Sequence, residues 1–304
     1  MRSYRKLKYT FTNTSEQKGL PVQMRVRIVT DSSTNVPEDY LQRLNIVEVP
    51  AVINFGQDSY LYKVEMSLDG FYRRLATSER LPTTAQPSPQ QFLDGYQRAA
   101  DEGATEVLAV TVSSKASGTY NSAVIAAENA PVPVAVWNSL HVSMAGGWQA
   151  IAAGELAAAG LSVPEILARL AAIRARTHMA FTPVNLKYII ASGRVPRLQG
   201  MIGDMLNIKP IMVTTDGVLE PAARVRTQRK AQEAMLDLIA TAVGSGPARV
   251  AVGHCNVVNE GMAFSEQVRQ RLNVQELVFF DLGMLAALGG PGLLGLAAHT
   301  VEDA

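Results

Sequence analysis

The sequence predicts an α/β protein, with a mostly parallel sheet and flanking helices over 25–175 and a second, α+β domain over 176–304. Three observations carry this reading. Short apolar, β-branched runs alternate with helix-like stretches through the first half. Two of those runs, ending at Val29 and Val110, lead straight into hydroxyl-rich turns. From Arg176 the alternation gives way to mixed strands and helices containing Thr215-Asp-Gly217, a hairpin signal. At 304 residues the chain has length for two domains of roughly 100–200 residues each.

Met1 to Gln23 is basic and polar, has no apolar core of a secretory signal, and reads as a loose tail over 1–24. The folded part opens with the strand Arg25-Val-Arg-Ile-Val29, which turns through Thr30-Asp-Ser-Ser-Thr34 into a short helix begun by Pro37-Glu-Asp. Ile46 to Phe55 reads as one strand, and Ser67 as the cap of an amphipathic helix over Leu68 to Ala76. The stretch Leu81 to Pro89 has too much proline for regular structure, so Thr83 and Thr84 are expected on a stiff loop. Ser88 and Gln91 have capping-box spacing for a helix to Ala100.

The centre of the first half is the strand Val107 to Val110, the turn Thr111 to Tyr120, and a helix from Asn121. Unpaired N–H groups and the dipole at a helix start attract negative charge, so Ser113, Ser114, Ser117 and Thr119 suit a carboxylate or phosphate. Taken alone, Ser117 reads more readily as a helix cap than as a ligand group, and both readings stand here. A strand over Val132 to Val136, an Ala-rich helix to Ala159 and a helix capped by Ser162 and Glu165 complete the half. Ligands of such sheets bind beyond the carboxyl ends of the strands, where the two hydroxyl-rich turns would face one crevice.

In the second half, Met179 to Thr182 reads as a strand, Pro183 to Ala191 as a helix, and Ile208 to Thr214 as the first arm of the hairpin. Helix, strand and helix run to Leu272, then strands over Glu276 to Phe280 and Leu293 to Ala298. Thr227 opens a helix within the basic run that holds Arg224, Arg226 and Lys230, which is either a solvated face or a docking surface for an acidic partner. Leu282 to Leu296, with Met284, Leu285, Leu288 and Leu293, suits either a tunnel wall or a core strand.

Composition narrows the function. A net charge of +1 with interspersed signs leaves no footprint for nucleic acid or an anionic membrane. The apolar stretches Met144 to Val163 and Leu282 to Ala298 are interrupted by Gln149 and Glu155 and by Gly289-Gly-Pro-Gly292, so both read as buried protein rather than membrane insertion. The single Cys255 fits a reducing compartment, hence the cytoplasm. The four histidines are scattered, without ligand spacing for a metal. Ser117, His254 and Asp31 are candidates for a serine hydrolase, yet no Gly-x-Ser-x-Gly elbow is present. Gly290-Pro-Gly-Leu-Leu-Gly295 has dinucleotide glycine spacing, but the chain after it is too short for the rest of that fold.

Together, Thr30-Asp-Ser-Ser33, Pro82-Thr-Thr-Ala-Gln-Pro-Ser88, Ser117-Gly-Thr-Tyr-Asn-Ser-Ala123, Ser192-Gly-Arg-Val195, Ile208-Lys-Pro-Ile211 with Asp216-Gly217, Arg224-Val-Arg-Thr227 and Gly290-Pro-Gly292 resemble the DegV family, in the family's order. The resemblance implies a two-domain protein with a long-chain fatty acid between its domains. It further implies, as in FakB-like members, a carboxylate presented to a separate Dha-kinase-like fatty acid kinase for acyl phosphate formation and phospholipid synthesis. Thr84 and Ser117 with Gly118 match the family's carboxylate site, and Arg194 matches an arginine of the same network. Ser32, Ser33, Ser113 and Ser114 would form a polar surround. The chain departs from many members in carrying Leu288 where they have a histidine. No cofactor beyond the bound acid is implied. The tail would set affinity, since methylenes at about 0.8 kcal/mol each outweigh about 1.5 to 3 kcal/mol for each hydrogen bond to the head. A sensor or adaptor that binds a lipid or small acid and passes on no phosphate is the alternative.

Overall fold

The computed structural model describes residues 25–184, 186–195 and 208–301. The first half runs β1 (Val26–Asp31), α1 (Glu38–Arg43), β2 (Val47–Val49), β3 (Val52–Phe55), β4 (Asp58–Leu61), α2 (Leu68–Thr77), β5 (Thr83–Ala85), α3 (Pro89–Asp101), β6 (Glu106–Thr111), α4 (Thr119–Ala127), β7 (Val134–Asn138), α5 (Met144–Ala158) and α6 (Val163–Ala175). Strands β2, β1, β6 and β7 form, in that order, a wholly parallel sheet. Its strands are near-continuous apolar runs because both faces are covered: Val29, Val107 and Ala109 pack under α3 and α4, while Ile28, Leu108 and Val110 face Trp148 and Ile151 of α5.

Ile46 to Phe55 is not one strand. It breaks at Pro50, which has no N–H for a ladder, and the chain passes from β2 in the parallel sheet to β3 in a separate antiparallel sheet ordered β4-β3-β5. The proline-rich loop is likewise more regular than its composition predicts. Thr83, Thr84 and Ala85 form β5 by pairing with Asn54, Ile53 and Val52, and the prolines stay outside the ladder. The caps fall where the sequence puts them: Ser67 accepts from Gly70 N–H, Ser88 and Gln91 bond reciprocally, and Glu165 accepts from Ser162 N–H.

The second half runs β8 (Thr177–Thr182), α7 (Leu186–Ser192), β9 (Lys209–Thr215), β10 (Val218–Val225), α8 (Gln228–Val243), β11 (Ala248–His254), α9 (Val258–Arg271), β12 (Val274–Asp281), a 3-10 turn (Gly283–Leu285), α10 (Ala286–Gly289) and β13 (Leu294–Thr300). Its six-stranded sheet is ordered β10-β9-β8-β13-β11-β12, antiparallel throughout except for β11 with β12. Asp216 and Gly217 both take positive φ, 48° and 83°, as the turn joining β9 to β10 requires. Strand residues of one parity, such as Val250, Val252, Leu294 and Leu296, pack with α8 and α9; those of the other, such as Met179, Phe181, Ala251 and Ala297, turn toward the first half.

Polar contacts tie the halves together. Arg249 on β11 makes a bidentate pair with Glu155 on α5 at 2.7 and 2.9 Å, Tyr72 on α2 donates to Asp281 at 2.6 Å, and Tyr40 on α1 bonds Glu276. Among the described residues no helix is long and apolar enough to cross a membrane.

Candidate binding site

The carboxyl ends of β1 and β6 are neighbours, so the turns that follow them meet. Asp31 accepts from Ser33 N–H at 3.0 Å and, across the strands, from Val112 N–H at 3.1 Å. It is fully buried, and burial pushes its carboxyl up from the ordinary 3.8 to about 6. Beyond these turns lies a cavity of about 130 Å³ lined by both halves. Ser33, Val112, Ala116 and Ser117 line it from the turns, Thr84 and Gln86 from β5 and its end, and Ser192 and Arg194 from the end of α7. The rest of the wall is largely apolar: Met179 and Phe181 of β8, Phe280, Leu282, and the four residues Met284, Leu285, Leu288 and Leu293.

Leu282 to Leu296 is thus a cavity wall, built differently from a core strand. Met284, Leu285 and Leu288 sit on the 3-10 turn and α10, and the chain returns to strand geometry at Leu294. Leu288, where histidine was the alternative, adds an apolar side chain.

Polar groups gather in one part of the wall. Arg194 is half-buried, and burial lowers its pKa. Its Nη1 donates to Ser192 O at 2.7 Å and its Nη2 reaches Thr84 Oγ1 at 3.5 Å. Among the described residues no carboxylate pairs with it. The N-cap of α4 is Gly118 rather than Ser117, whose hydroxyl shares a 2.8 Å hydrogen bond with Thr119 Oγ1 and accepts from Thr119 N–H at 3.3 Å. One helix-start donor is therefore satisfied while the hydroxyl still faces the cavity. Gly118 itself does not line the cavity. A Cβ there would lie 2.6 Å from Gln86 Nε2, so the glycine makes room for the Gln86 amide beside Ser117. Gln86 is a polar residue that motif reading missed, as is Ser143, which also lines the cavity. Had β5 been recognised as a strand, period-two alternation would have put Gln86 on the same face as Thr84.

Of the expected polar surround, only Ser33 lines the cavity. Ser32 is buried, accepts from Ala51 N–H at 3.0 Å and donates to Met284 Sδ at 3.8 Å. Ser113 is buried and donates to Gly217 O at 2.7 Å, which clamps the hairpin tip of the second half to the turn. Ser114 turns outward, accepting from Asn138 Nδ2 at 2.7 Å. Buried hydroxyls were recruited by buried backbone groups, which sequence spacing does not reveal.

The serine-hydrolase arrangement is not assembled. His254 is buried against Phe279, with Nδ1 3.3 Å from Asp281 rather than Asp31, and Ser117 bonds Thr119 instead of an imidazole. Among the described residues no cluster of metal-ligating side chains occurs. Arg224, Arg226 and Lys230 lie exposed along the end of the edge strand β10 and the first turn of α8, whose Thr227 cap accepts from Lys230 N–H.

The chain matches the family model described as "Uncharacterised protein, DegV family" over residues 25–300. A DegV domain-containing protein of Streptomyces coelicolor is 33% identical over 277 residues, spanning 90% of this chain and 98% of that protein. A Thermotoga maritima protein named fatty acid-binding protein is 28% identical and spans 92% of this chain and 99% of its own length. The solved structure of a DegV family protein from Thermus thermophilus, described by its fatty acid binding, aligns with a TM-score of 0.84 at 30% identity, covering 91% of this chain and 100% of that one.

Proposed function

The chain belongs to the DegV family, and from that premise we propose that it binds a long-chain fatty acid in the cavity and presents the carboxylate to a separate fatty acid kinase. The observation that carries the reading is Arg194, a half-buried cation with no carboxylate partner among the described residues, set beside Thr84 in the polar part of a largely apolar cavity. An anion with a long apolar tail satisfies both. Arg194, Thr84 and Ser117, with Gln86 and Ser33 nearby, hold the head; Met284, Leu285, Leu288 and Leu293 cover the tail. The 25–175 and 176–304 segments act as two domains that close on the ligand, in a cytoplasmic setting that fits the one free cysteine.

Arg224, Arg226 and Lys230 supply the docking surface for the kinase: Arg226 and Lys230 lie at the start of a helix, where cations oppose its dipole and gain the fold little, and Arg224 lies at the end of the adjoining strand β10. Protein purified from cells is expected to carry a non-covalent fatty acid, read by native mass spectrometry. Apoprotein alone, with no uptake of added palmitate or oleate, overturns the binding reading. Binding without acyl phosphate formation by any Dha-kinase-like kinase of the same cell leaves a lipid sensor or adaptor in its place.

A further inference from the structure

Gly295 lies near the start of β13, and among the described residues nothing requires a glycine there. Its φ is outside the left-handed region. A Cβ at this position would meet its nearest neighbours, Phe181 Cβ and Ala180 O, at 3.7 and 4.0 Å, which are ordinary contacts. Glycine within a strand costs backbone entropy and packs no side chain, and where no turn or bulge explains it, the close approach of another group does.

The paired residue on β11 gives the contrast. Gly253 is required by packing, because a Cβ there would fall 2.8 Å from Phe280 Cζ and 2.9 Å from Leu282 Cγ. Register strings Phe280, Gly253, Gly295, Phe181 and Met212 into one row across five strands. Gly253 also lines the cavity, but Phe280 and Leu282 leave no room for a Cβ there, so the place in the row that could take a side chain is Gly295, with Ala297 and Ala251 in the next row on the same face. Gly295, Ala297 and Ala251 all line the cavity. The glycine run also divides by role: Gly290 and Gly292 take positive φ, 82° and 87°, in the turn, whereas Gly295 leaves space.

We infer that Gly295 is where the acyl chain of the ligand crosses β13, and that its missing side chain sets how long a chain the cavity admits. The inference rests on the fatty-acid reading above. A Cβ at 295 makes only ordinary contacts with Phe181 and Ala180, so a side chain there displaces ligand methylenes and leaves the sheet intact.

The test uses the full chain, delipidated, with wild type, Gly295→Ala and Gly295→Val titrated with laurate and stearate by calorimetry. Each displaced methylene is worth roughly fourfold in affinity, so Gly295→Val is expected to weaken stearate relative to laurate by roughly tenfold or more, and Gly295→Ala by less. Ligand-free Gly295→Ala is expected to melt at or above wild type, whereas Gly253→Ala melts lower. An unchanged stearate-to-laurate ratio in both 295 variants, or a ligand-free Gly295→Ala protein as destabilised as Gly253→Ala, overturns the inference while leaving fatty acid binding in place. Wild type that takes up neither acid removes the binding reading and this one with it.

Discussion

The turns at Thr30–Thr34 and Thr111–Thr119 end adjacent parallel strands and look alike in composition, yet their hydroxyls are used differently. In the first, Thr30 Oγ1 donates to Val110 O, Thr34 Oγ1 donates to Asp31 O, Ser32 accepts from Ala51 N–H, and Asp31 holds two backbone N–H groups. These side chains are buried and committed to the backbone, and Ser33 alone of this turn lines the cavity. In the second, Ser113 is committed in the same way and Ser114 turns outward to the Asn138 side chain, but Ser117 is only part-buried and keeps bonding capacity toward the cavity. A hydroxyl is available to a ligand where the fold leaves it beside a cavity, and is otherwise taken up by the nearest unpaired backbone group.

The largest expected effect lies in the first turn. Asp31→Ala leaves the Ser33 and Val112 N–H groups without their acceptor, at about 1 to 3 kcal/mol each, and the loss is read as a lowered denaturant midpoint. Its pH dependence sharpens the assignment. The folded state holds the Asp31 proton up to about pH 6, whereas the unfolded chain releases it near 3.8. Asp31 therefore contributes most stability below pH 3.8 and loses about 3 kcal/mol of it as pH rises to 6, so the gap between wild type and variant should widen on acidification. A gap that is constant with pH, or a variant of wild-type stability, would break the contrast between the turns.

Next in size is the second turn with its partner strand. Ser117→Ala and Thr84→Ala are each expected to weaken fatty acid binding by about ten- to a hundredfold, from about 1 to 3 kcal/mol per lost hydrogen bond to a carboxylate. The ligand-free melting temperature should fall less than in Asp31→Ala, because Ser117 is only part-buried and accepts from one backbone N–H, that of Thr119, against two for Asp31. Unchanged affinity with a lowered melting temperature would make Ser117 as structural as Asp31.

The smallest effect is remote from both turns. Arg226→Glu should leave ligand uptake as it is and slow kinase turnover several-fold, more at low salt, where attraction between exposed charges is least screened. Equal turnover of loaded wild type and variant at two salt concentrations would return the basic run to a solvated face.

Much of this molecule was set by residues close together in sequence. The caps at Ser67, Ser88, Ser162 and Thr227 and the Asp216-Gly217 turn each act within one helical turn or one hairpin loop, where the bonding groups are at most a few residues apart. Alternation of apolar runs likewise set the parallel sheet, since burial on both faces demands it. Ser117 is legible from its place at a helix start as well as from family resemblance, Thr84 and Arg194 from the resemblance alone, and the structure gathers all three at one cavity.

Tertiary structure decided what depends on distant partners. Pro50 divides Ile46–Phe55 between two sheets, and β5 exists only because β3 offers its edge. Arg194 meets Thr84 across 110 positions, and Tyr72 meets Asp281 across 209. Whether a serine is spent on a neighbour's backbone, or a glycine such as Gly295 stands open, depends on what the rest of the chain brings to it. Such meetings are fixed by burial summed over the whole chain, where loop entropy is offset by many small contacts, so no short stretch of sequence records them.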